Sequence, residues 1–169
     1  SRRIFAAGGV LASKQAARRG SGVVLVAEHL RHSLPENGQS LVVRVIPCGI
    51  DPEIFHPLKR DYCCEELGWR KEAFHILFQN TGDPVKRPEL AYAALECLKN
   101  ELGIDAEIHQ LRGVKYEQVP VWLSACDALL VTSFHEGSPT IVKEALACNL
   151  PIVSVPVGDV SQRIEGIRG

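Results

Sequence analysis

Five short apolar runs punctuate the chain, at Val42–Ile46, His75–Gln79, Ala106–Leu111, Ala128–Thr132 and Pro151–Val155. Each is continuous rather than alternating and leans on Val, Ile and Leu, the pattern of strands covered on both faces. Helical patterns lie between them: Pro88–Leu102, with Leu90, Ala94, Leu95 and Leu98 on one stripe, then Tyr116–Cys126 and Pro139–Cys148. Strands separated by helix-length segments predict parallel pairing with helices on both faces, a doubly wound, Rossmann-like α/β sheet. Ligands bind such sheets beyond the carboxyl ends of the strands, so the residues just after each run are the informative ones. A turn-rich stretch, Leu34–Ser40, separates a basic helical segment and the run Gly22–Ala27 from the rest. It is the expected hinge, dividing the chain into residues 1–36 and 37–169.

Composition narrows the class. The 169 residues are 46% hydrophobic and 23% charged, with 19 Lys and Arg against 20 Asp and Glu. A chain of this size can bury about 68–70% of its unfolded surface. Disorder is excluded, and the balanced charge gives no sign of a nucleic-acid partner. The charge is unevenly spread: Arg2, Arg3, Lys14, Arg18 and Arg19 stand among the first 27 residues without one acid, so removing five positives from the net −1 leaves −6 for the remainder. Six cysteines (48, 63, 64, 97, 126, 148) show no C-x-x-C and no Cys/His spacing suited to zinc, so no metal is expected. They read as reduced, mostly buried thiols of a cytosolic protein. The longest weakly polar stretch, Ala145–Gly158, holds Asn149 and two prolines and is too short to span a bilayer. With no Met anywhere, the chain reads as a segment of a longer protein.

There is no G-x-G-x-x-G, G-x-x-x-x-G-K-[ST] or G-x-S-x-G, and Pro139 stands where the second histidine of H-E-x-x-H would be. Two loops remain. In the one after the fourth run, Thr132–Glu144, Ser138 followed by Pro139 predicts a helix start with Ser as N-cap and Pro at the first helical position. The N–H groups of Gly137, Ser138 and Thr140 would then face a cleft suited to phosphate. Glu144 falls in the Thr140 row and leans toward the same cleft, the plain alternative being a solvated helix-face acid. In the other loop, Asn80–Leu90, the adjacent cations Lys86 and Arg87 suit a diphosphate.

Three ordered stretches carry a resemblance: Val45–Pro52 through Phe55-His56-Pro57; Lys86-Arg87-Pro88-Glu89-Leu90; and Glu136 to Glu144, an E-x7-E that runs on to Gly158-Asp159. Together they resemble the C-terminal half of glycosyltransferase family 4, the retaining enzymes of GT-B fold, across residues 22 to about 165. The resemblance implies a donor half truncated at both ends, with residues 1–36 the tail of an acceptor domain. It implies transfer of a sugar from a nucleoside-diphosphate sugar to a hydroxyl of a glycan or lipid-linked acceptor, without metal or cofactor. By it, Lys86 contacts the diphosphate, Glu144 the ribose hydroxyls, and Glu136 with the Gly137 and Ser138 amides the sugar and phosphate. The turn Arg112-Gly113-Val114 lies near the base. Two positions depart from the pattern: Thr81 stands where an arginine is common, leaving Arg87 as its substitute, and Asn149 replaces a glycine. The expected location is the cytoplasm, and two readings of the basic arm stand: it packs on the missing part of the N-terminal domain with its cations solvated, or it rests on the inner face of the membrane. The rival readings are a non-catalytic nucleotide- or sugar-binding module and a GT-B-like sugar-nucleotide epimerase.

Overall fold

The computed structural model describes residues 2–35 and 42–167, with side chains from residue 11 onward. The expected hinge lies outside the described residues from Glu36 on. Two compact units divide between Cys48 and Gly49. The first holds helix α1 (Arg2–Arg19), strand β1 (Gly22–Leu25), a 3-10 turn (Glu28–Ser33) and strand β2 (Val42–Val45). β1 and β2 pair in parallel, Gly22 opposite Val42 and Leu25 opposite Val45. The run at Val42 therefore does not open the larger sheet. Both strands are half-exposed on alternate residues, so they suit a small two-stranded sheet rather than a doubly covered one. The division between the two compact units falls beyond β2.

The second unit runs α2 (Arg60–Leu67), β3 (Phe74–Phe78), α3 (Pro88–Asn100), β4 (Ala106–Gln110), α4 (Val119–Ala125), β5 (Ala128–Val131), α5 (Thr140–Ala147), β6 (Ile152–Ser154) and α6 (Val160–Ile164). Four parallel strands stand in the order β4-β3-β5-β6. Alternate residues of each strand feed opposite faces. Ile76, Ala106, Ile108 and Leu130 pack with Leu95 and Leu98 of α3 on one face. Leu77, Leu129 and Val131 pack with Leu123 of α4 and Val142 and Ala145 of α5 on the other. Helices thus cover both faces, as expected of a doubly wound sheet. Two helices, α2 and α6, have no counterpart in the sequence reading. α2 is short and carries four charges, so no long apolar stripe announces it; its Cys63 and Cys64 are wholly buried against Ala125. Cys126 and Cys148 are buried as well, and burial drives their thiols upward, Cys148 to about 11.

At the amino end of the sheet, on the α4 face, two histidines share a pocket floored by tryptophan. The His109 ring stacks on Trp69, centroids 3.5 Å apart and planes 9° from parallel, and Trp122 meets Trp69 edge-on. Burial, with His75 beside it, lowers His109 to about 4 against a weaker opposing pull from Glu107. Arg70 closes the edge through bonds to both Asp105 and Glu107.

Candidate active site

β3 and β5 are neighbours, yet the chain leaves β3 through α3 on one face and leaves β5 through α5 on the other. Their loops diverge and open a crevice at the carboxyl edge, the place where such sheets bind ligands. Lys86 comes from the first loop and Glu136 from the second. Lys86 Nζ donates to Glu136 Oε1 at 2.6 Å and to Gln79 Oε1 at 3.2 Å. The two side chains are only 13% and 16% exposed. Gln79, Thr132, Ser133 and Pro139 line the rest of this cleft.

Local bonds hold the lysine in place. Asp83 accepts the Val85 N–H at 3.0 Å and caps the 3-10 turn Pro84–Lys86. The Thr132 hydroxyl donates to the Lys86 carbonyl at 2.6 Å, and the Phe134 N–H donates to the Val85 carbonyl at 2.9 Å, so the two loops are zipped together. Arg87 then takes a left-handed conformation, φ 52°, at the start of α3. Its guanidinium lies 4.4 Å over the Phe134 ring, and its Nε stands 3.8 Å from Glu89. This geometry costs of order 1–3 kcal/mol in a non-glycine residue, and the cation–π contact offsets part of it.

The helix start differs from expectation. Pro139 is the N-cap and α5 begins at Thr140, with no side-chain cap. Ser138 does not cap: its hydroxyl donates to Asp159 Oδ2 at 2.9 Å, beside the Arg163 guanidinium on the same oxygen. A buried carboxylate offers a charge-assisted bond that backbone amides cannot match, so the serine is drawn outward. Gly158 supports the same loop from below. It holds φ +57°, and a Cβ there would stand 2.8 Å from the Gly137 carbonyl oxygen and 3.0 Å from that of Glu136.

Glu144 is no solvated helix-face acid. It is 8% exposed, on a helix buried from Ile141 through Ala145. Burial pushes its carboxyl above the usual range, the neighbouring Lys143 pulling the other way. Thr140 is exposed at the mouth of α5. Gly113 stands in a left-handed turn after β4, and Val114 packs against the main core. Lys86 and Glu136 are thus brought into contact; Gly137, Ser138 and Thr140 follow on the same loop, and Arg87 flanks it. Sequence reasoning missed Gln79, Thr132, Asp159 and Arg163. Only their positions just after strands could have flagged the first two; the others enter through a return from β6 that no local pattern shows. It also missed Arg112 as a neighbour of the first loop: its guanidinium lies over Gly82, within 3.7 Å of where a Cβ would be.

Residues 89–165 match the family model described as Glycosyl transferases group 1. Over this stretch the chain is similar to that family. The match opens at Glu89, three residues after Lys86, and takes in both Glu136 and Glu144. D-inositol 3-phosphate glycosyltransferase of Paenarthrobacter aurescens is 28% identical over 154 residues, covering 75% of this chain and 38% of that protein. The fold is that of GT-B glycosyltransferases. Sucrose-phosphate synthase from Thermosynechococcus elongatus superposes with a TM-score of 0.73 at 19% identity, over 92% of this chain and 45% of the synthase. Anabaena HepE, in complex with UDP and glucose, gives 0.67 at 15% identity, over 100% of this chain and 53% of HepE. The chain spans less than half the length of the curated relative.

Proposed function

We propose that this domain is the donor half of a retaining glycosyltransferase of family 4, which moves a sugar from a nucleoside-diphosphate sugar to an acceptor hydroxyl. The observation that carries the reading is the Lys86–Glu136 pair, set where the strand order reverses, with Glu136 inside the stretch similar to group 1 glycosyltransferases and Lys86 just before it. Before donor binds, each side chain is the other's ion-pair partner, which holds the mostly buried lysine in place. A donor diphosphate replaces Glu136 as the partner of Lys86, which frees Glu136 for the sugar hydroxyls.

In the transfer the bond from the anomeric carbon to the phosphate oxygen breaks, and the nucleoside diphosphate leaves with the electron pair. The acceptor oxygen bonds the same carbon from the same face, and its proton passes to the departing phosphate. Lys86 and the Gly137 and Ser138 amides match the negative charge that develops on that phosphate, a contribution of roughly 2.7–4 kcal/mol per preorganised donor. Glu144 is assigned to the ribose hydroxyls and the turn at Gly113 and Val114 to the base. The relatives' names, an inositol phosphate glycosyltransferase and a protein crystallised with UDP and glucose, support a nucleotide-sugar donor. The acceptor is a glycan or lipid-linked hydroxyl, met at an anionic inner membrane face on which α1 rests.

Calorimetry with UDP, GDP and ADP tests the donor site. Lys86→Ala is expected to weaken the matching nucleoside diphosphate about 10- to 150-fold, the worth of one hydrogen bond to a charged group, and the bare nucleoside hardly at all. Equal losses for both would make Lys86 structural, and binding of none of the three would leave the reading without its donor. Turnover by the longer protein with a nucleotide-sugar, its product anomer read by NMR, separates a retaining transferase from an inverting one, from a binding module and from an epimerase.

A further inference from the structure

Four residues before the cleft, the same strand carries a cluster that the transfer does not use. His75 on β3 is wholly buried, and Glu107 and His109 stand opposite it on β4, with Glu107 its direct register partner. His75 Nε2 lies 2.7 Å from the Arg70 carbonyl oxygen. A carbonyl only accepts, so this nitrogen carries the proton and His75 Nδ1 is left with a lone pair. That lone pair faces His109 Nε2 at 2.9 Å. Glu107 Oε2 completes the triangle, 3.9 Å from His75 Nδ1 and 3.8 Å from His109 Nε2. Its other oxygen, Oε1, accepts from Arg70 Nε at 2.9 Å and from Arg70 NH2 at 2.6 Å, which turns Oε2 toward the rings.

We propose that His75, Glu107 and His109 form a binding site for a divalent transition-metal ion such as Zn²⁺, separate from the donor cleft. Three atoms each about 2.1 Å from one ion, at tetrahedral angles, stand about 3.4 Å apart, and the three separations here bracket that figure. The ion replaces one hydrogen bond: His109 takes the tautomer with its proton on Nδ1, and its Nε2 lone pair turns to the metal. Outer contacts of the kind that orient metal ligands are already in place, a backbone carbonyl on the far nitrogen of His75, an arginine on Glu107 and an indole under His109. Charge favours a cation, because Arg70 is shared by two carboxylates, Asp105 and Glu107, and the group keeps one net negative charge. Two imidazoles with one carboxylate suit Zn²⁺ and its first-row neighbours rather than Mg²⁺ or Ca²⁺, which take oxygen ligands. Glu107 is about a third exposed, leaving a path for the ion and a fourth position for water. Among the described residues no other group of histidine, cysteine and acidic side chains converges in this way. Local spacing could not reveal the site, since its third ligand comes from a neighbouring strand.

The test is a Co²⁺ titration of the chelator-treated full chain, followed by displacement with Zn²⁺. The expected result is saturable binding of one ion, visible cobalt bands, and no thiolate-to-cobalt charge-transfer band in the near ultraviolet. Zn²⁺ should raise the melting temperature by several degrees, because it binds the folded state. His109→Gln and Glu107→Gln should each weaken Co²⁺ at least tenfold, with the fold checked by near-ultraviolet circular dichroism. Glu107→Gln, on the more exposed ligand, decides the matter should His109→Gln fail to fold. Absence of Co²⁺ binding, a thiolate band, or unchanged affinity in Glu107→Gln would overturn the assignment.

Discussion

Glu144 sets a conflict between folding and binding. Its carboxyl is buried, and its pKa is raised chiefly by desolvation. In the unfolded chain a glutamate ionises near its ordinary value of 4.5; in the folded one it resists ionisation. As pH rises from that value through the higher folded value, the folded state must bear the charge, so stability falls across this window. Glu144→Gln removes the penalty. We expect the variant to melt higher than the parent at neutral pH, with the difference shrinking below pH 4.5, and thermal melts across that range check it. The same substitution should weaken the nucleoside diphosphate by roughly 1.5–3 kcal/mol if the carboxylate receives ribose hydroxyls. A more stable protein that binds donor less well would mark Glu144 as kept for the ligand. Sequence placed this residue in the right row of its helix, but not its burial, because the elements that cover α5 on that side belong to other parts of the chain.

At the scale of elements, the end of α5 shows how a departure from the family pattern is absorbed. Asn149 sits at φ 58° just past the helix. Its N–H donates to the Leu146 carbonyl at 3.1 Å, and the Leu150 N–H donates to the Ala145 carbonyl at 2.9 Å, the paired bonds of a Schellman motif. Asparagine is the residue besides glycine that enters this conformation readily, so the turn survives without glycine. Asn149→Gly should be neutral or slightly stabilising, whereas Asn149→Val should cost about 1–2 kcal/mol, read from urea unfolding midpoints. The loop that holds Glu136 depends on a different contact. Gly158→Ala drives a methyl into the Gly137 carbonyl, and we expect a loss of about 1–3 kcal/mol of stability together with weaker nucleoside diphosphate binding. Wild-type affinity in that variant would show that the loop relaxes without disturbing the cleft.

The whole molecule divides its work between two units. The larger carries the four-stranded sheet, the candidate cleft and the histidine cluster; the smaller carries α1, whose Lys14, Arg18 and Arg19 are exposed. No helix among the described residues is long and apolar enough to cross a membrane. Five cations on the arm, at about 1 kcal/mol each near an anionic surface, suffice for weak and salt-sensitive adsorption. Co-sedimentation should therefore show binding to vesicles containing phosphatidylserine but not to neutral ones, lost when Arg2, Arg3, Lys14, Arg18 and Arg19 are all changed to Gln. Absence of binding at low salt would confine the arm to packing within the protein.

The sequence by itself determined the class of fold and the edge of the sheet at which the candidate cleft lies. Buried parallel strands must be continuous apolar runs, and a doubly wound sheet presents its loops at the carboxyl edge, so the two loops that carry Lys86 and Glu136 were legible from period and position. Tertiary structure alone decided the rest. The partner of β2 follows from which backbone edges meet, and alternation of exposure along a strand becomes visible only once that strand is covered or left open. Ser138 left its cap because a carboxylate from beyond β6 came within reach. His75, Glu107 and His109 converge because β3 and β4 pair in one register, and a one-residue slip would have turned Glu107 and His109 to the opposite face.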